Sequence, residues 1–192
     1  METRIVGLTG PIAAGKDAVA KILQRRGAFV IDVDNVAHTL YEPQSEVWRE
    51  IVRAFGSKVL NRGGGINRKK LGEIVFGDKR KLTELNQIIH PKLKEAIEHR
   101  TRNTEHGAQD VFINAALLKE IGLVDLVDEV WVVTASRENR LKRLLKTGLS
   151  KKSALQRINS QLPMKEYLAM ADVVIENNGT PRQLNAKIQT HF

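Results

Sequence analysis

The opening 32 residues constrain the fold of this chain more than any other stretch. Arg4 to Thr9 (RIVGLT) is a short apolar run, the pattern of a strand buried on both faces of a parallel sheet. It leads into a glycine-bracketed loop, Gly10-Pro11-Ile12-Ala13-Ala14-Gly15, and then into Lys16-Asp17. Asp17 to Arg26 carries Val19, Ala20, Ile22 and Leu23 at helical spacing, and Ala28 to Asp32 (AFVID) is a second apolar run. Strand, loop, helix, strand is a βαβ unit, which commits the chain to a parallel sheet covered by helices.

The chemistry of the loop is as specific as its position. Its glycines let the backbone curl so that successive N–H groups converge on phosphate oxygens. The helix that opens here adds the positive end of its dipole, and the lysine neutralises charge on the β- and γ-phosphates. Gly10, Pro11, Ile12, Ala13, Ala14, Gly15, Lys16, Asp17 and Ala18 are therefore the expected ATP-binding segment, with Lys16 also catalytic. A chance match in a surface turn would lack the strand before it and the amphipathic helix after it. Asp17 stands where such loops carry Ser or Thr, whose hydroxyl ligates Mg²⁺. A carboxylate also suits Mg²⁺, which prefers hard oxygen ligands, but it sets negative charge beside the phosphates. Two readings stay open: a Mg²⁺ ligand, or a degenerate loop that binds nucleotide weakly.

Helical patterns fill the middle of the chain at Val36 to Tyr41, Ser45 to Phe55, Asn67 to Phe76 and Asp78 to Ile89. A further helix is expected from Pro91 to about Arg102, with proline at its first position, and a polar loop from Thr101 to Gln109. Gly63-Gly64-Gly65 reads as a mobile turn. Strands return at Asp110 to Asn114 and Glu129 to Thr134, followed by helices at Ser136 to Lys146 and Ser150 to Ser160. Asp172 to Glu176 is a last strand, and Thr180 caps a last helix that has Pro181 at its first position. The expectation is an α/β fold with a five-stranded parallel sheet covered on both faces and a long helical insertion between the second and third strands.

Composition narrows the possible functions. A chain of 192 residues fits one domain with a small inserted subdomain. The absence of cysteine excludes a disulfide scaffold and a thiolate metal site. Met1 to Gly7 lacks a secretory pattern, and no apolar run approaches the ~20 residues that span a bilayer. A cytoplasmic protein without a membrane partner is expected. The net charge of +9 fits either nucleic acid or phosphorylated small molecules. Its basic residues are dispersed and aromatics are only 5%, so stacking platforms are scarce and nucleic acid is not expected as a partner.

Open α/β sheets bind ligands at the carboxyl ends of their strands, and the second strand ends in Asp32-Val33-Asp34. One carboxylate there can take the proton of an acceptor hydroxyl, and the other can cap the next helix. GLTGPIAAGK followed by VIDVDNVAH resembles the dephospho-CoA kinase family. RKKLGEIVF with IIHP, LVDEVWVV with RLKRLL, and RINSQLP with ADVVIENNGT extend the resemblance over roughly residues 4 to 190 in the family's order.

The resemblance implies Mg²⁺-dependent transfer of a phosphoryl group from ATP to the ribose 3′-hydroxyl of dephospho-CoA. It implies a three-layer sandwich of the P-loop NTPase type, built as a single domain. The nucleotide-binding core would be residues 1–34 and 108–192, the acceptor-binding insertion 35–107, and the lid about 137–165. Asp34 takes the position of the catalytic base. His38, Arg68 and His90 join it on the acceptor side, Arg143 reaches from the lid toward ATP, and Asn177 to Gly179 lie by the adenine. Plainer roles stand beside these: His90 capping the helix that starts at Pro91, His38 on a polar helix face, and Arg143 solvated.

Three features depart from the family. One is Asp17. Another is Asn114, where an Asp that organises magnesium is usual, so Asp17 and Asn114 are the expected metal pair. The third is the lid, one residue short, with Lys146-Thr147 where a second Arg is common. Another small-molecule kinase of this type, and a nucleotide-binding homologue without catalysis, are the alternatives.

Overall fold

In the computed structural model, which describes residues 3–75, 77–102 and 110–192, the first apolar run is the middle strand of the sheet. β1 (Ile5–Thr9), β2 (Phe29–Asp32), β3 (Val111–Asn114), β4 (Glu129–Thr134) and β5 (Val173–Glu176) stand in the order β2-β3-β1-β4-β5. β1 runs parallel to β3, with Leu8 opposite Asn114, and parallel to β4, with Thr9 opposite Val132. The expected five-stranded parallel sheet is therefore present, and the apolar runs lack polar alternation because the inner strands are covered on both faces.

The chain divides into two compact units, Met1–Ile31 with Thr104–Phe192, and Asp32–Asn103. In the first, α1 (Lys16–Arg25) buries Val19, Ala20, Ile22 and Leu23. α9 (Pro181–Gln189) adds Leu184 and Ile188 to the same core, which also holds Val6, Leu8, Phe112 and Trp131. Phe112 and Trp131 meet edge to face at 5.2 Å. α9 begins where the sequence places it. The Thr180 hydroxyl accepts from the Gln183 N–H, while Gln183 Oε1 accepts from the Thr180 N–H. α6 (Arg137–Lys146) and α7 (Lys151–Asn159) match expectation. α8 (Met164–Ala169) does not, because its six residues bury only Tyr167 and leave no periodic signature.

The second unit is helical. α2 (Val33–Leu40) starts earlier than the expected Val36, because the Asp32 carboxylate accepts from the Asn35 N–H at 3.0 Å and caps the helix directly after β2. α3 (Glu46–Phe55) and α4 (Arg68–Val75) agree with the sequence. The expected break at His90-Pro91 is absent, and α5 runs without interruption from Lys79 to Arg102 with Pro91 inside it. Leu85, Ile89, Leu93 and Ile97 recur every four residues across the proline, so one buried stripe holds both halves in a single helix. Thr101 and Arg102 belong to this helix, and the rest of the polar segment to Gln109 lies outside the described residues. The glycine turn at 63–65 is closed by Asn61, whose Oδ1 accepts from Gly63 and Gly65, and by the Trp48 indole donating to the Gly64 carbonyl. Among the described residues no helix is long and apolar enough to cross a membrane.

Candidate active site

The loop between β1 and α1 carries the strongest motif of the sequence, and its backbone is held from several sides. Gly15, the residue before α1, has φ +105, and a side chain added there would come closer than 3.0 Å to Asn177 Nδ2. Asn177 is buried, and its amide donates to the Ala14 carbonyl at 2.8 Å. Arg143 donates from Nη1 to the carbonyls of Ala13 and Ala14, at 2.9 and 2.8 Å, and from Nη2 to the Asn177 carbonyl at 2.7 Å. The expected lid arginine thus lies on the backbone of the phosphate loop.

The trans peptide unit is planar, so a carbonyl pointing one way turns the following N–H the other way. Fixing the Ala14 carbonyl on Arg143 and Asn177 aims the Gly15 N–H away from both. Lys16 and Asp17 follow in the first turn of α1, where a helix leaves N–H groups without an intrahelical acceptor. Such an arrangement can receive an anion. Within it, the Lys16 side chain is 17% exposed, and its Nζ lies 4.0 Å from Asp17 Oδ1, on a side chain 81% exposed.

Asn114 ends β3 and donates from Nδ2 to Asp17 Oδ1 at 3.4 Å. The two residues expected to share a metal are therefore in contact. Asn114 Oδ1 and Thr9 Oγ1 are buried and have no hydrogen-bond partner among the described residues. Mg²⁺ keeps several waters and takes one or two carboxylates with substrate phosphates, so it needs no cage of side chains. Asp17 with Asn114 fits that donor set, and no cluster of three His, Cys, Asp or Glu stands among the described residues.

Asn178 and Gly179 occupy the turn after β5. Asn178 Oδ1 accepts from the Ser136 N–H at 2.7 Å, which ties this turn to the start of α6.

The acceptor-side residues lie in the helical unit. Asp34 and His38 sit on α2 at a spacing of four residues, and Tyr41 follows three further on, which is one stripe of a helix. The Arg68 guanidinium lies over the Tyr41 ring, 5.2 Å from its centroid. Burial pushes the Tyr41 hydroxyl above its usual pKa, and the Asp34 charge pushes the same way. Burial lowers Arg68, and the Asp34 charge opposes that. Asp34, Tyr41 and Arg68 thus form one electrostatic group. His90 lies in the interior of α5, so it does not cap a helix start. Tyr41, Arg140 and Gln161 were not singled out as site residues: Arg140 and Gln161 stand inside RLKRLL and RINSQLP without a role assigned to them, and a lone aromatic after a short helix carries no pattern of its own.

Strand order, loop and flanking helices are together those of a P-loop kinase. The dephospho-CoA kinase family model matches residues 4–183, and the chain belongs to that family. A dephospho-CoA kinase of Geobacter sulfurreducens is 44% identical over 187 residues, which span 96% of this chain and 95% of its own. A crystal structure from Thermus thermophilus has a TM-score of 0.85 at 30% identity, covering 100% of this chain and 97% of that one. A dephospho-CoA kinase structure from Campylobacter jejuni has a TM-score of 0.73 at 28% identity, covering 99% and 97%. The activity is accordingly that of a phosphotransferase with an alcohol acceptor.

Proposed function

We propose that this chain transfers the γ-phosphoryl group of ATP to the ribose 3′-hydroxyl of dephospho-CoA, giving coenzyme A and ADP, in the cytoplasm. The family match over residues 4–183, with an anion nest where the family binds ATP, carries the reading. In the transfer, the acceptor oxygen bonds to the γ-phosphorus as the bond from that phosphorus to the β–γ bridging oxygen breaks. The hydroxyl proton passes to Asp34, and ADP leaves with the bridging oxygen. Catalysis of this kind is mostly positioning and charge stabilisation.

Gly10 to Ala18 wrap the triphosphate, with the backbone N–H groups of Ala13, Gly15, Lys16 and Asp17 as its donors and the Lys16 side chain neutralising charge on the β- and γ-phosphates. Asn177 and Gly179 border the base. Arg143 acts through the loop carbonyls it holds, and in that way keeps the N–H groups aimed. His38, Arg68 and His90 serve the acceptor with Asp34. Asp17 and Asn114 would hold Mg²⁺, which when bound neutralises charge on the phosphates.

The experiment is product identification. With ATP, Mg²⁺ and dephospho-CoA, the protein should form coenzyme A, and Lys16→Ala should abolish this while leaving dephospho-CoA binding intact. Activity on other alcohols but not on dephospho-CoA would indicate a different small-molecule kinase, and ATP binding without any turnover would indicate a homologue that has lost catalysis.

A further inference from the structure

Arg140 is 7% exposed, although it stands on a helix whose other basic residues face solvent or the loop edge. Burial lowers its pKa. Its Nε donates to the Ile12 carbonyl at 2.9 Å, and its Nη2 donates to Gln161 Oε1 at 3.2 Å. The same Gln161 oxygen accepts the Ile12 N–H at 2.7 Å. Both backbone polar groups of Ile12 are thus committed to one arginine–glutamine pair. Ile12 and Ala13 also pack against Leu144, Ala154 and Ile158 of α6 and α7.

The residue after this clamp is strained. Ala13 has φ +60, a left-handed conformation that non-glycine residues rarely hold unless their surroundings fix it. The peptide between Ile12 and Ala13 is trans, so its N–H points opposite to the carbonyl that Arg140 holds. We infer that Arg140 and Gln161 are positioning residues of the phosphate loop: by gripping both backbone groups of Ile12 they fix the direction of the Ala13 N–H toward the nucleotide phosphates. Arg140 therefore serves the Ala13 N–H as Arg143, one turn later on α6, serves the Gly15 N–H. The inference rests on the loop's role in the proposed reaction but not on the identity of the acceptor.

The test uses Gln161→Leu, Gln161→Glu, Arg140→Lys and the Gln161→Leu/Arg140→Lys double variant in the full chain. MgADP affinity is measured by calorimetry, KM for ATP and for dephospho-CoA by turnover, and folding by thermal melting. Gln161→Leu removes the shared acceptor and should weaken MgADP about tenfold. It should raise KM for ATP in parallel and leave KM for dephospho-CoA within about twofold. Gln161→Glu keeps an acceptor oxygen and should restore affinity. The double variant should lose little more than either single change, since both break one device. The inference is overturned if a folded Gln161→Leu binds MgADP like the wild type. It is equally overturned if Gln161→Glu fails as badly, or if both KM values rise together with a fall in melting temperature. If the wild type binds MgADP but does not phosphorylate dephospho-CoA, the proposed function falls, and the calorimetric arm still decides the role of Arg140 and Gln161.

Discussion

Replacing Gly15 with alanine should damage the phosphate loop in two separable ways. The residue has φ +105, where an L side chain costs about 1–2 kcal/mol. Its new Cβ would also collide with Asn177 Nδ2 and break the 2.8 Å bond from that amide to the Ala14 carbonyl. That bond is worth about 1 kcal/mol. Against these stands a gain of about 0.4–1 kcal/mol, because alanine restricts the unfolded chain. The net loss is about 2 kcal/mol, and for a chain of this size that lowers the melting temperature by roughly 4–8 °C. Gly27→Ala is the control. Gly27 has φ +96 with nothing within 4 Å of an added Cβ, so it carries the conformational cost without the collision. The assay is thermal unfolding of both variants by circular dichroism, with MgADP titration alongside. Gly15→Ala should melt below Gly27→Ala and lose nucleotide affinity, whereas Gly27→Ala should bind normally. Equal melting temperatures with normal binding by Gly15→Ala would refute the claim that Asn177 and Gly15 together shape the loop.

Asp34→Asn should lower kcat by about 100-fold or more with little change in KM for ATP, since the amide cannot take the proton. Asp32→Ala should instead cost about 1 kcal/mol of stability by removing the cap of α2, with kcat largely kept, and the reverse ranking would reassign the base. Asp17→Ser and Asn114→Asp should each impair Mg²⁺-dependent turnover, while the double variant recovers, because the two side chains touch and share one charge balance. Simple addition of the two losses would end that idea. Tyr41→Leu should raise KM for dephospho-CoA but not for ATP, with Tyr41→Phe near normal, because the ring face rather than the hydroxyl supports Arg68.

Where physical signals were local, the sequence carried them. Val6 and Leu8 in an unbroken apolar run, the glycines of the loop, and Thr180 just ahead of Pro181 each act over a few residues, and each appears in the structure as expected. Signals that depend on distant packing did not appear. Pro91 removes one donor and crowds the preceding turn, a cost of about 3 kcal/mol in a helix interior. The buried stripe from Leu85 to Ile97 outweighs it, and nothing near the proline records that. The site divides in the same way. Lys16 and Asp17 are announced by the loop motif, and Asp17 meets Asn114 because α1 starts from the loop after β1 while Asn114 ends β3, the strand beside β1. Arg140 looks like any basic residue of α6, and only folding brings it to the Ile12 carbonyl, 128 residues away in sequence.

The most direct measurement of the central claim is ADP release followed by a coupled assay, with dephospho-CoA present or absent and with Mg²⁺ or a chelator. The account predicts fast release only when dephospho-CoA and Mg²⁺ are both present, with one coenzyme A formed per ADP. ADP release indifferent to dephospho-CoA, or none under any condition from protein that binds ATP, would contradict it.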